Sequence, residues 1–150
     1  MSALGRSALA VAVALGTTAG SYSLAAREAP AAADPLGPES VTVVIDIEHS
    51  RFSPSSLSVK AGTEVRFVVR NHDPINHELI IGPAEVHDRH RDGTEAEHAA
   101  VPGEVSVAAL ERGVTSYRFE EPGTVEMACH LPRHYEFGMR GEITVVDAAP

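Results

Sequence analysis

The chain has 150 residues, with 12 Lys or Arg against 21 Asp or Glu, so it is one domain's worth of protein with a formal charge of −9. Apolar residues make up 43 % and charged residues 22 %, which excludes a wholly disordered or collagen-like chain. The acidic balance, with no Lys/Arg run to offset it, excludes a nucleic-acid partner.

The N-terminus opens with Arg6, an apolar stretch from Ala8 to Gly16, and small residues ending at Ser23-Leu24-Ala25. This reads as a secretory signal over residues 1–25, with an uncleaved anchor as the competing reading. Either way the protein is exported, to the periplasm or beyond the cell, free or held to the membrane by that segment. Cleavage would remove Arg6 alone among the charges, leaving 11 basic against 21 acidic residues, a net −10. Residues 26–40 are rich in Ala and Pro with Leu36 as the one bulky apolar side chain, and read as a flexible linker.

From Val41 the apolar residues recur with period two, the mark of half-buried strands. Val41, Val43, Ile45 and Ile47 share one face of the first run. Leu57 and Val59 follow a turn at Ser53-Pro54, and Val65, Phe67 and Val69 follow Ala61-Gly62-Thr63. Further runs are His77–Ile81, Glu104–Leu110, Val114–Phe119, Thr124–Cys129 and Met139–Asp147. About eight short strands without an amphipathic helix predict an all-β, antiparallel sandwich or barrel over residues 41–150. One segment, Gly82 to Gly103, has no strand pattern and carries His87, His90 and His98 among many charges. It is expected to be a solvated excursion. The rival reading gathers a second metal there, from those three histidines with Glu95 or Glu97, although the spacing His-x2-His-x7-His matches no strong motif.

A lone Cys129 permits no internal disulfide and no four-cysteine metal knot. The only lysine, Lys60, follows Val59, which excludes a phosphate-binding Gly-Lys-Ser/Thr loop. What stands out is the run Cys129-His130-Leu131-Pro132-Arg133-His134-Tyr135-Glu136-Phe137-Gly138-Met139, where a thiolate, an imidazole and a thioether recur at five-residue steps. Sulfur ligands with imidazole suit a copper ion, and two His with one Cys and a weak axial Met define the blue-copper electron-transfer site. Strand phase supplies the second imidazole. His77 is in phase with Leu79 and Ile81, and Cys129 with Val125 and Met127, so both point inward. His130 falls out of phase and is expected to be solvated, as are His49 and His72. The metal-ligand set is therefore His77, Cys129, His134 and Met139, around a single copper ion of type 1. Met127 is expected to be core filler.

These residues give the chain a family likeness. From about Val41 to Val146 it resembles the cupredoxins, the plastocyanin and azurin-like blue copper proteins. The likeness rests on FSPSSLSVKAGTEVRFVV, a histidine opening the next central strand, and a Cys-x4-His-x4-Met loop before the last strand. The resemblance implies a Greek-key β-sandwich that shuttles one electron, with His77, Cys129 and His134 in the trigonal plane and Met139 axial. Two positions depart from the family's habit. Glu78 stands where an Asn usually braces the ligand loop, and Arg133 precedes His134 where a Gly is common.

The expected function is thus a monomeric, exported, non-enzymatic electron carrier. Its partners would be redox proteins, among them a membrane-bound oxidase or reductase, with no small-molecule substrate. Leu131, Pro132, Tyr135, Pro74 and Ile75 are expected to form an apolar collar around His134. The alternative is a protein for copper delivery or sequestration, against which the scarcity of Met (Met1, Met127 and Met139) counts. A Cys129–His134 nucleophile pair is a weak rival, because no orienting partner or oxyanion site is marked.

Overall fold

A computed structural model describes residues 40–91 and 101–148. The signal segment, the linker up to residue 39, and Glu95, Glu97 and His98 lie outside the described residues. Among the described residues nine strands form two sheets. The first has the order β2 (Phe52–Ser53), β1 (Val41–Ile47), β4 (Thr63–Asn71), β7 (Arg112–Phe119). The second has the order β3 (Ser56–Lys60), β9 (Arg140–Val146), β8 (Gly123–Ala128), β5 (His77–Gly82), β6 (Glu104–Val107). β1 pairs parallel with β4 and β3 parallel with β9, and the other pairings are antiparallel. The chain crosses repeatedly from one sheet to the other, giving the expected all-β sandwich, but the expectation of a purely antiparallel one is corrected by the two parallel pairings, which such crossovers create.

Period-two patterning builds this core. Along β4 the alternation is complete, with Thr63, Val65, Phe67, Val69 and Asn71 buried and the residues between them turned outward. Ile45, Ile47, Phe67, Val69 and Phe119 of the first sheet meet Leu79, Ile81, Met127, Ile143 and Val145 of the second. Phe67 and Phe119 meet edge to face, with ring centroids 6.4 Å apart. The additional strand beyond the expected eight is β2, only two residues long and too short to show a period.

The principal departure from the sequence reading lies between β5 and β6. Residues Ala84–His90 form a helix, α1, that packs on β5. All six residues of β5 are therefore buried, one face on the sandwich core and the other under α1. The helix is anchored by polar groups. Glu104, buried at the start of β6, accepts from Arg89 Nη2 at 2.5 Å and lies 3.2 Å from His90 Nε2. The expectation of a solvated excursion is corrected for this half of the segment. The helix was hidden because its inward stripe is made of histidines rather than of aliphatic side chains. Among the described residues no helix is long and apolar enough to cross a membrane.

Candidate metal centre

His77 opens β5, and Cys129 follows directly on β8, its neighbour in the sheet. Both side chains point into the core end of the sandwich, as strand phase requires, and Cys129 is fully buried. The loop from Cys129 to Met139 then closes on itself. The amide of Met139 donates to the His134 carbonyl at 3.0 Å, and the amide of Cys129 donates to the Met139 carbonyl at 3.1 Å. Arg133 sits at φ 71°, the left-handed conformation for which glycine is usually chosen, and its guanidinium lies 5.0 Å from the centre of the Phe137 ring.

This closure brings one donor atom each from His77, Cys129 and His134 within 4.8 Å of one another. Cys129 Sγ lies 3.2 Å from His134 Nδ1, and the His77 and His134 rings are 4.9 Å apart. Met139 is fully buried at the same loop end. Of the four residues expected from the sequence, His134 alone is half-exposed.

The donor set fits a soft metal ion. Asp73 Oδ2 lies 3.0 Å from His77 Nε2, which therefore carries the hydrogen. His77 Nδ1 is left buried, without a hydrogen-bond partner among the described residues. An orphaned buried acceptor costs on the order of 1–3 kcal/mol, unless a ligand meets it. A metal ligated by one ring nitrogen while the other is held by a carboxylate is the common arrangement for such histidines.

Charge at the site follows from burial. Burial pushes the Cys129 thiol up to about 12, against the amides of Glu78 and Leu131, which favour the thiolate. The metal-free site therefore holds a protonated thiol, and metal binding must release that proton. Burial also holds His77 below the ordinary histidine range, opposed by the hydrogen bond to Asp73 and helped by the neighbouring His134. For Asp73 itself, burial works toward the neutral form. The amides of Ser50 and His49, with His77, outweigh it and hold the carboxyl below its usual value.

The two departures from the family's habit now have structural answers. Glu78 takes over the brace, its Oε1 accepting the amide of His130 at 2.6 Å and tying β5 to the residue after Cys129. Arg133 supplies the left-handed turn without a glycine.

His130 requires correction. It points away from the core, as its phase demands, yet it is buried rather than solvated, because α1 covers that face. Its Nε2 lies 2.9 Å from His87 Nδ1. His87 Nε2 faces two carbonyl oxygens, of Gly82 at 3.2 Å and Glu126 at 3.3 Å, so it must be the protonated nitrogen. His130 then donates to His87. Tyr135 lies flat on the other side of His130, ring centroids 5.2 Å apart, and its hydroxyl donates to Glu126 at 2.9 Å. Tyr135, expected in the collar around His134, is half-buried. Pro74, Ile75, Pro132 and Phe137 are exposed, and His49 and His72 are exposed as expected. His87 and His90 are buried in the packing of α1, and His90 Nδ1 donates to the Val86 carbonyl at 2.7 Å. The structure thus places two of the three loop histidines in the helix contact.

A pH dependence follows for the metal-free protein. Burial holds His130 below the ordinary value of 6.5, with the neighbouring His87 acting in the same direction, and His77 is shifted in that direction too. The unfolded chain therefore binds protons first as pH falls. Stability is expected to be level above about pH 7.5, and to decline as pH drops through 6.5 toward the lower folded values. Urea midpoints of the metal-free protein across pH 5 to 8 check this, and a midpoint that rises on acidification contradicts it.

Comparisons with known proteins agree with this geometry. Residues 39–146 match the family described as copper binding proteins, plastocyanin/azurin family. The copper-resistant cuproprotein CopI of Rubrivivax gelatinosus is 36 % identical over 106 residues, covering 68 % of this chain and 64 % of that protein. The chain thus matches just under two thirds of that relative's length. CopI of Pseudomonas aeruginosa is 27 % identical over 126 residues, 63 % of this chain and 70 % of that protein. Auracyanin B superposes with a TM-score of 0.57 at 25 % identity, over 71 % of this chain and 88 % of that one. Auracyanin A, a "blue" copper protein of Chloroflexus aurantiacus, shares the fold at a TM-score of 0.57 and 20 % identity, over 71 % of this chain and 99 % of that one. With its fold, its converging donors and a family match over residues 39–146, the chain belongs to the plastocyanin/azurin family of copper-binding proteins.

Proposed function

We propose that this protein is an exported one-electron carrier, in which His77, Cys129 and His134 would hold a resident copper ion and Met139 would supply a weak thioether donor. The carrying observation is the depth of the donor set: His77, Cys129 and Met139 are each 1 % exposed or less, and only His134 reaches toward solvent. Copper so held supplies a Cu(I)/Cu(II) couple, while the chain fixes the donors so that little rearrangement accompanies a change of oxidation state. The orphaned Nδ1 of His77 and the Sγ of Cys129, 3.2 Å from His134 Nδ1, are carried on a buried strand and a hydrogen-bonded loop, which favours such rigidity. The half-exposed edge of His134 offers the exit for the electron. Ile75, 47 % exposed, and Phe137, 57 % exposed, offer apolar surface from the two loops that carry the candidate ligands. The partner is a redox protein, and none of the chemistry requires an enzyme's substrate pocket.

A second reading, copper delivery or sequestration, is favoured by the name of the relatives, copper-resistant cuproproteins. The two differ in whether the ion or the electron moves. Copper-loaded protein, challenged with a Cu(I) chelator and separately with a small one-electron oxidant, is expected to exchange electrons at least a hundredfold faster than it loses metal. Metal loss as fast as oxidation supports delivery and overturns the carrier reading.

A further inference from the structure

The turn before β1's partner strand β2 holds a carboxylate in an unusual way. His49 and Ser50 both adopt left-handed backbone conformations, at φ 53° and 54°. Neither is a glycine, and consecutive residues of this kind are uncommon and unfavourable. What the turn achieves is to aim two successive amides at one side chain. His49 N–H donates to Asp73 Oδ1 and Ser50 N–H to Asp73 Oδ2, each at 2.8 Å. Successive amides converging on an anion in this fashion form a backbone nest. The same Oδ2 accepts the Nε2 hydrogen of His77 at 3.0 Å. A second brace fixes Asp73 from its own loop. Its amide donates to Asn71 Oδ1 at 3.0 Å, while Asn71 Nδ2 donates to the carbonyls of Ile75 and Ala108 at 2.7 and 2.9 Å.

We propose that Asp73 is a positioning residue that sets the preference of the centre for Cu(II) over Cu(I), by fixing the His77 tautomer and placing a permanent negative charge behind that imidazole. The inference rests on the copper reading above and assigns to a residue outside the ligand set the control of its redox balance. Two effects act in the same direction. A carboxylate on Nε2–H makes Nδ1 a stronger donor, and a negative charge near the ion favours the higher charge state. Three donors, two amides and one imidazole, hold that charge in place, with 11 % of the Asp73 side chain exposed. The left-handed turn is the structural cost of that placement.

The test is Asp73→Asn in the full chain. The amide oxygen can keep Ser50 and His77 while its NH2 group faces the His49 amide, so the fold survives with one donor unmet. Outer partners of this kind typically contribute about 10–100-fold to metal affinity. Cu(II) affinity is expected to fall by about that factor with Cu(I) affinity little changed, and each tenfold change in the ratio raises the potential by about 59 mV. His49→Gly, which keeps the amide and relieves the left-handed strain, is expected to leave the potential unmoved. Equal losses for both oxidation states, or a potential shift as large in His49→Gly, overturn the proposal. Nitrogen NMR of the metal-free chain provides an arm independent of copper. His77 is expected to carry its hydrogen on Nε2 in the wild type, and to populate the Nδ1–H form in Asp73→Ala, which leaves Nε2 without that acceptor. A His77 ring indifferent to Asp73→Ala overturns the positioning role even if the protein proves to bind no copper. A blue centre whose potential ignores Asp73→Asn overturns the inference while leaving the copper reading intact.

Discussion

Cys129→Ser is expected to erase the intense thiolate-to-copper absorption and to abolish electron exchange, while the sandwich stays folded. Colour in such a site comes from charge transfer out of a sulfur anion, and a hydroxyl is a harder donor that does not ionise near neutral pH. The fold should tolerate the change because Ser is close in volume to Cys, and His134 Nδ1, 3.2 Å from Sγ, can accept the buried hydroxyl's hydrogen. Stability of the metal-free variant should lie within about 1 kcal/mol of the parent. The variant should also lose a second signature. Burial holds the Cys129 thiol protonated up to about 12, so copper uptake by the parent releases a proton that the Ser variant cannot supply in that way. A variant that keeps full colour removes Cys129 from the ligand set.

The second large effect separates two histidines only four residues apart. His134→Ala should open a coordination position and convert or bleach the blue spectrum, and added imidazole should restore it in part, because the vacated site lies at the half-exposed edge. Its metal-free stability should change little. His130→Ala should do the reverse. Its ring is buried between α1 and Tyr135 and donates to His87, so removal leaves a cavity and an unmet nitrogen. A loss of about 2–4 kcal/mol is expected, with the blue band retained. Met139→Leu should fall between them, remaining blue with a raised potential, since a thioether in the axial position is a weak donor that tunes the site. Denaturation midpoints and visible spectra of the three variants, measured together, decide the matter. If His130→Ala bleaches the protein and His134→Ala does not, β8 is assigned with its faces exchanged.

The ligand loop was legible because its chemistry is local. Cys129, His134 and Met139 lie within eleven residues, and strand phase alone turned His77 and Cys129 inward and His130 away from them. The structure shows those directions in its contacts, His77 and Cys129 converging with His134 and His130 meeting His87 of α1. Phase, however, names a direction and says nothing of what covers a face. His130 pointed outward and was expected in water, but α1 stands there, and period-two reasoning has no means to see a helix from another part of the chain. A signal was present, since His87 and His90 are three residues apart and share one helical face, with Arg89 between them reaching Glu104. Charged neighbours masked it, because a stripe of imidazoles lacks the aliphatic period by which helices are usually found. Glu78 was read as the loss of a brace, although a carboxylate accepts an amide hydrogen as well as a side-chain amide does. Asp73 left no mark at all in the sequence. It sits in a run, Asn71-His72-Asp73-Pro74, that any surface turn would contain. Its role depends on the amides of His49 and Ser50, more than twenty residues earlier, and on the left-handed turn that aims them.

The claim that His77, Cys129, His134 and Met139 make one blue copper centre is tested most directly by the optical and electron-spin-resonance spectra of the protein titrated with Cu(II). One equivalent should produce an intense thiolate band and a narrow copper hyperfine splitting, both complete at that equivalence. A weak, ordinary Cu(II) spectrum with broad splitting, in protein whose Cys129 is reduced and intact, would contradict it.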